Sequence, residues 1–410
     1  MKIKPVVIII PIVIALLALI TGSLLVWQLF IFSALILGLG YLWSVVNIRG
    51  IEVKVKDLPE QSRVGDWFEE EFIISNNSVI PKSGITVSGV SDLPGYENSV
   101  FIDLAREDSQ SWKSRIDCLR RGLYSLGNIN ISASDPFGLI TLKRISGETR
   151  KLLVFPETLV LPFFEPETYV GTDYGIGQLL RSETSSTIGQ VREYTSGDTL
   201  NHVHWPSTAH MGTLMVKVFE NDQMRYQSRN VWLVLNMCRE DHVLTREGST
   251  EDYAVTIASS LLNKYLDAGE ETGLLMAGDR RHVFTPGSDD EFRYRADEAL
   301  ARIRASGKES VNHLVSEEMD RFDRDSVVII ITPFIEENLI TNIHILRNRG
   351  CLVVVILLDT ASFGGRFSNL KIARNLSTAG AQVYIVRKDD NIARVLDSRH
   401  VSSPLMYGEK

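Results

Sequence analysis

Three histidines, His202, His204 and His210, fall within nine residues of one another. His-x-His on a strand would turn two imidazoles to one face, which is how a zinc site begins. No cysteine or acidic residue follows at a spacing that supplies a third ligand, so zinc is not expected. Cys238 stands just after the apolar run Val231–Leu235, at the kind of strand end where α/β sites gather. No Gly-x-Ser/Cys-x-Gly elbow surrounds it, and no histidine is placed by sequence to activate its thiol. The chain also has no Gly-x-x-x-x-Gly-Lys-Ser/Thr loop to cradle phosphates. No catalytic constellation is complete, so no catalytic residue is assigned and neither a metal nor another cofactor is expected.

The densest group of polar and aromatic residues is Arg192-Glu193-Tyr194, Gly197-Asp198, His204-Trp205, Ala209 and Gly212, running to Lys217. A guanidinium fork, carboxylates and an indole can form a satisfied network that fixes how the chain enters Val231–Leu235. The same residue types, left exposed, anchor protein interfaces. Burial separates the two readings: sequestration means architecture, and exposure means docking.

The elements that position these residues begin with a segment, 6–46, that holds no charged residue. At 1.5 Å per residue it would make a helix of about 60 Å, twice the hydrocarbon thickness, which predicts two crossings turning at Thr21-Gly22-Ser23. Trp27 and Trp43 suit interfacial positions. Lys2 and Lys4 precede the hairpin and Arg49, Lys54 and Lys56 follow it, so both ends are expected on the cytoplasmic side. A cleaved signal peptide is the rival reading, but it lacks a small-x-small site near Ser23 and would leave the second crossing as a stop-transfer segment. Either route leaves the body cytoplasmic. Three cysteines without metal spacing agree with a reducing compartment. The net charge is −8, and setting aside residues 1–48, which hold two lysines and no acid, leaves −10. With no basic stripe either, nucleic acid is excluded as the expected partner.

Residues 49–160 read as a β-sandwich. Ile51-Glu-Val-Lys-Val, Phe72-Ile-Ile-Ser and Ile85-Thr-Val-Ser alternate, and turn clusters at Asn76-Asn77-Ser78, Pro81–Gly84 and Leu93-Pro94-Gly95 separate them. Such spacing predicts an immunoglobulin-like arrangement. A Gly- and Ser-rich linker is expected over 161–190. From 191 to 410 strands alternate with helices. Val231–Leu235, Val327–Ile331 and Leu352–Leu357 are all-apolar, as parallel strands covered on both faces must be. Helices are predicted over Tyr253–Leu266, Phe292–Ile303, Val311–Phe322, Ile335–Arg349 and Leu370–Ala379, with a hairpin turning at Gly278-Asp279. The fold class is a membrane-anchored chain of a two-helix hairpin (1–48), a β-sandwich and a doubly wound α/β domain.

The segment from Arg192 to Lys217 resembles the signature of the domain-of-unknown-function 58 family: Arg-x-Tyr, Gly-Asp, Asp-Trp, a small residue, then a strand. His204 stands where that family usually has Asp. Arg121-Gly122 and Asp135-Pro136-Phe137-Gly138 resemble further family landmarks, which as residues read as turn chemistry between strands. The resemblance implies two N-terminal membrane segments, a sandwich and a von Willebrand factor A-like domain. In that fold an Asp-x-Ser-x-Ser motif after the first strand and an Asp after a later one hold a divalent cation. Here those positions read Asn236, Cys238, Glu240 and Thr332, so the resemblance implies a degenerate metal site. It also implies a membrane-anchored adaptor working with a MoxR-type AAA+ ATPase on a client complex. A membrane-surface hydrolase or metal-dependent enzyme, or a cell-envelope structural protein, is the alternative.

Overall fold

A computed structural model describes residues 2–3, 5–56, 58–166, 188–194, 203–219, 230–245, 248–365 and 370–398. The chain divides into two compact units, residues 1–157 with 297–303, and residues 158–296 with 304–410.

In the first unit the uncharged N-terminal segment forms helices α1 (Pro5–Thr21) and α2 (Leu24–Ile48). They break at Gly22, whose φ of 61° favours a residue without Cβ. Among the described residues α2, at 25 residues or about 37 Å, is the one helix long and apolar enough to cross a bilayer. α1, with 17 residues, is shorter, so of the two expected crossings α2 is the one whose length and composition suffice. Most of the large apolar side chains described along both helices are exposed, Ile20 and Leu24 most of all.

Eleven short strands lie among the described residues of this unit. They are β1 (Lys2–Ile3), β2 (Ile51–Lys56), β3 (Gln61–Arg63), β4 (Trp67–Asn76), β5 (Lys82–Val90), β6 (Ser99–Leu104), β7 (Ser109–Asp117), β8 (Gly122–Leu126), β9 (Asn128–Ser134), β10 (Ile140–Ser146) and β11 (Arg150–Phe155). They form sheets ordered β1-β10-β9-β5-β6, β2-β4-β7 and β3-β11-β8. Alternation delivers Ile51, Val53, Phe72 and Ile74 from one sheet onto Ile85, Val87, Ile129 and Ile131 of another, a sandwich core. A second cluster gathers Leu58, Ile116, Tyr124, Leu126, Leu152 and Val154. The Tyr124 hydroxyl donates to the carbonyls of Arg120 and Arg121, both at 3.0 Å, a tie between strand and upstream turn like the tyrosine corner of immunoglobulin-type sandwiches.

The second unit opens earlier than a linker beginning at 161 would allow. Leu161 and Phe164 are buried in it, Lys264 Nζ donates to the Leu161 carbonyl at 2.8 Å, and the Phe164 ring lies 5.5 Å from that of Tyr384. Apolar side chains within the proline-rich stretch explain the shift, while most of the expected Gly/Ser connector falls outside the described residues. Strand β12 (Ile188–Glu193), helix α3 (Trp205–Met211) and strand β13 (Met215–Phe219) come next, β12 and β13 pairing antiparallel.

The α/β sheet then builds from β14 (Val231–Leu235), α4 (Thr250–Asp267), β15 (Thr272–Ala277), β16 (Arg281–Gly287), α5 (Asp290–Arg302), α6 (Val311–Glu317), β17 (Val327–Thr332), α7 (Glu337–Asn348), β18 (Leu352–Leu358), α8 (Leu370–Thr378), β19 (Gln382–Val386) and α9 (Ile392–Val395). Its order is β16-β15-β14-β17-β18-β19, parallel except for the β15–β16 hairpin at the edge. In order of appearance that is 3-2-1-4-5-6, the doubly wound pattern with its switch point beside β14. β14 and β17 are buried at every position, as the apolar runs Val231–Leu235 and Val327–Ile331 predict, and β15 is buried throughout as well. α6 stops at Glu317 where the sequence pattern continues to Phe322. A 3-10 turn follows, and Arg349 Nη1 donates to the Met319 carbonyl at 2.9 Å.

Candidate functional site

Two adjacent parallel strands, β14 and β17, pair Leu235 with Ile331, so the residues just past them, Asn236 and Thr332, arrive side by side at the carboxyl end of the sheet. Ligands of open α/β sheets bind at this end. Asn236 is buried there and its amide is saturated. Nδ2 donates to Asp241 Oδ2 at 2.8 Å and to Thr332 Oγ1 at 2.9 Å, and Oδ1 accepts from the Cys238 backbone N–H at 2.9 Å. A backbone N–H only donates, so the contact with Cys238 fixes which end of the amide faces Asp241. The Thr332 hydroxyl in turn donates to the Phe334 carbonyl at 2.5 Å.

Behind this triad, His242 Nε2 lies 2.8 Å from the Asn236 carbonyl and Nδ1 lies 3.0 Å from Thr250 Oγ1, tying the strand end to the start of α4. Burial raises the Asp241 carboxyl above its usual range, the nearby charges of Glu336 and Glu240 add to this, and the bond from Asn236 opposes it. Burial likewise pushes the Cys238 thiol up.

These residues do not fit a divalent cation. An amide nitrogen is directed at the carboxylate and hydroxyl that would ligate one, so its N–H groups do the cation's work. Cys238 offers a protonated thiol where a hard oxygen is needed, and Glu240 is exposed at the rim. Sequence reading placed Asn236, Cys238, Glu240 and Thr332 together. It missed Asp241, His242 and Thr250, for which the carboxylate and imidazole directly after the strand end were the available signal.

Cys238 also bridges to Gly307, and a Cβ on Gly307 would meet the carbonyl oxygens of Ala277, Gly278 (2.9 Å) and Met237 (3.0 Å). Only glycine lets that loop lie against the ends of β14 and β15.

The polar and aromatic segment is spread along a ribbon and a short helix. Arg192 pairs with Val216 and Glu193 with Met215 in the β12–β13 ladder, and Tyr194 N–H donates to the Leu214 carbonyl at 2.8 Å. The Thr213 hydroxyl donates to Glu193 at 3.4 Å. His204 does not lie on a strand, as the zinc reading required. It precedes α3 as its N-cap, with Nδ1 2.7 Å from Ser207 Oγ, because Pro206 suits a helix start and the following residues turn. Gly197, Asp198 and His202 lie outside the described residues. α3 buries none of its side chains: Trp205 is 66% exposed, Met211 65%, and Ala209 is exposed as well.

The sandwich landmarks stand apart from these residues. Arg121 is buried, and Gly122 opens β8 with φ 149°. Asp135 accepts from the N–H groups of Phe137 (3.1 Å), Leu139 (2.7 Å) and Ile140 (2.6 Å). Pro136 supplies a fixed φ and Gly138 a φ of 64° to the same turn.

One further cluster was not anticipated. Glu309, His313 and Glu317 succeed one another at four-residue spacing around α6, close enough to share an ion. Arg281 already fills that role, donating to Glu309, to Glu317 at 2.6 Å and to Glu318 at 2.9 Å. Glu309 and Glu317 raise the His313 pKa. This is a charge-satisfied network.

Residues 190–363 match the model of a family described as "Protein of unknown function DUF58". "Uncharacterized protein YeaD" of Bacillus subtilis (strain 168) is similar at 21% identity over 238 residues, 58% of this chain and 56% of YeaD, so the chain spans little more than half of that relative. The SpRpn10 VWA domain is similar over 44% of this chain and 98% of its own, at 13% identity and a TM-score of 0.31. An aerotolerance-related membrane protein from Bacteroides fragilis NCTC 9343 is similar over 41% of this chain and 94% of its own, at 14% identity and a TM-score of 0.30. The CARDB domain of PF1109 from Pyrococcus furiosus is similar over 26% of this chain and 94% of its own, at 16% identity and a TM-score of 0.21.

Proposed function

We propose, on the premise that residues 190–363 belong to the DUF58 family, that this protein is a membrane-anchored adaptor that docks a partner through α3 and the ribbon carrying it. The exposure of Trp205 carries this reading. An indole left two-thirds in water contributes little to the fold, and tryptophan at an interface is among the strongest anchors. The sequence set burial as the discriminator between architecture and docking, and exposure favours docking. The hydrogen-bonded Asn236 network favours an interaction module over an enzyme, because among the described residues around Asn236 the polar side chains are engaged with one another.

We assign the anchor to residues 6–46 as two membrane segments, α1 and α2, with both soluble units cytoplasmic. β1 pairs with β10 ahead of α1, and β2 follows α2 directly, so both ends of the helical pair meet the same β-rich unit and lie on one side of the bilayer. The partner we assign is a AAA+ ATPase of the MoxR type, with the sandwich as a second binding module for the client. Proteolysis of the full chain in inside-out and right-side-out vesicles tests the anchor: cleavage of both units in inside-out vesicles alone is expected. A photo-crosslinking residue at position 205, with one at Leu244 as the reference, tests the docking face. A crosslinked partner at both positions or at neither would overturn that assignment.

A further inference from the structure

The sandwich is joined to α2 without a spacer, and one of its turns lies against the helix at a definite depth. From Leu24 to Trp43 α2 runs 20 residues, about 30 Å, the thickness of a bilayer's hydrocarbon core. Trp27 stands near one end of that stretch, and Tyr41 and Trp43, both exposed, stand at the other, as aromatic residues do at membrane interfaces. Beyond Trp43 the helix changes character. Ser44 and Asn47 are buried, Ser44 Oγ donates to the Ile140 carbonyl at 3.2 Å, and Asn47 Nδ2 donates to the Ser83 carbonyl at 3.0 Å. The buried Lys82 donates to the Val46 carbonyl at the end of the helix.

The turn Asp135–Leu139 meets α2 at Gly40. A Cβ on Gly40 would lie 3.5 Å from the Asp135 Cβ. β1, which leads into α1, pairs through Lys2 and Ile3 with Thr141 and Ile140 at the other side of the same turn. The turn therefore sits between the two places where the chain enters the apolar helices, level with Tyr41 and Trp43. At its tip Pro136 is exposed and Phe137 is 70% exposed. Its one acid, Asp135, is buried, with its oxygens held by three backbone N–H groups, so the tip presents apolar surface without a free charge.

From this placement we infer that the Asp135–Leu139 turn is a membrane-interface anchor, with Phe137 seated at the boundary between lipid headgroups and acyl chains. The inference rests on the reading of α2 as a membrane span. A large aromatic side chain on a rigid turn adds apolar contact at that boundary. Together with the spacer-free junction, it fixes the orientation of the sandwich on the bilayer.

The test labels single added cysteines with an environment-sensitive fluorophore in the full chain, reconstituted into phosphatidylcholine vesicles containing spin-labelled lipid. The three native cysteines are buried, and unsubstituted protein measures their background. Phe137→Cys is compared with Ile31→Cys, in mid-helix, and with Leu119→Cys. Leu119 lies just beyond Asp117, at the end of the β4–β7 pair remote from Ser75 and Ser109, about 30 Å further from the helix junction. The expected result is a blue-shifted label at 137, quenched at least twofold more by shallow than by deep spin labels, a label at 31 quenched by deep ones, and an unquenched label at 119. A label at 137 that behaves like the one at 119, while position 31 is quenched, would overturn the anchor and leave the span intact. An unquenched label at 31 would overturn the span itself, and the anchor with it.

Discussion

Asn236→Asp places a carboxylate at the end of the sheet, and its consequence can be worked from the contacts of Asn236. One oxygen of the new side chain keeps the Cys238 N–H, while the other is set 2.8 Å from Asp241 Oδ2 in place of a donor. Two carboxylates at that distance repel by about 6 kcal/mol at an effective dielectric of about 20. The pair escapes most of this by binding a proton, since burial and neighbouring acids already raise the Asp241 carboxyl. Adding the lost bonds to Asp241 and Thr332, we expect the variant to be destabilised by about 3 kcal/mol at pH 7. The folded pair binds its proton more tightly than the unfolded chain, so this deficit shrinks as the pH falls from the folded pair's raised pKa towards the unfolded carboxylate range, about 4. Mg²⁺ should replace the proton and stabilise the variant, and should leave the native protein unchanged. Amide hydrogen exchange of Val231–Leu235 in the detergent-solubilised full chain reads this out as protection reduced about 100-fold and partly restored by Mg²⁺. A variant with native protection at pH 7, or a native protein that Mg²⁺ protects, would refute the reasoning.

Gly307→Ala should cost at least about 3 kcal/mol, because the new methyl meets three backbone carbonyls that cannot swing aside, and hydrogen exchange of β15 would register it. Glu70 is fully buried on β4, held by the Tyr96 hydroxyl at 2.6 Å and Asn98 Nδ2 at 2.8 Å, with burial raising its pKa from 4.5. A carboxyl raised in this way binds its proton more tightly folded than unfolded. Sandwich stability should therefore fall as pH rises from about 4.5 through the folded pKa, and the Glu70→Gln variant should lose that slope in urea titrations. Cys118, Cys238 and Cys351 are buried with thiol pKa values raised chiefly by burial, so the native chain should resist iodoacetamide at pH 7 and react fully in urea, as mass spectrometry would show.

Much of the architecture was legible because the patterns that specify it are local. The all-apolar runs at β14, β17 and β18 are short and mostly β-branched, which favours covered strands over buried helix, and Gly350 and Gly380 end their helices with φ of 93° and 88° as a C′ residue should. The amide and threonine at the end of the sheet were named by the resemblance to the von Willebrand factor A-like fold, and the β14–β17 register sets them side by side. Their partners were not legible, because Asp241, His242 and Thr250 converge only when the loop after β14 folds back on α4. The charge cluster around Arg281 escaped for a related reason. Its acids lie on and around α6, about thirty residues beyond the arginine, and only the β15–β16 hairpin brings them together. His204 stands outside any strand because Trp205-Pro206 starts a helix there. The stretch around 161 read as linker by its prolines, although Leu161 and Phe164 are core.

The central claim is docking through α3, and it is tested most directly by purifying the full-length protein in mild detergent with ATP, with ADP and without nucleotide, alongside Trp205→Ala. Because Trp205 is exposed, that variant should keep the native melting temperature within about 1 °C. A AAA+ ATPase is expected to co-elute with the native chain in a nucleotide-dependent way and to be lost with Trp205→Ala. Co-elution that survives the substitution, or no ATPase under any of the three conditions, would contradict the account.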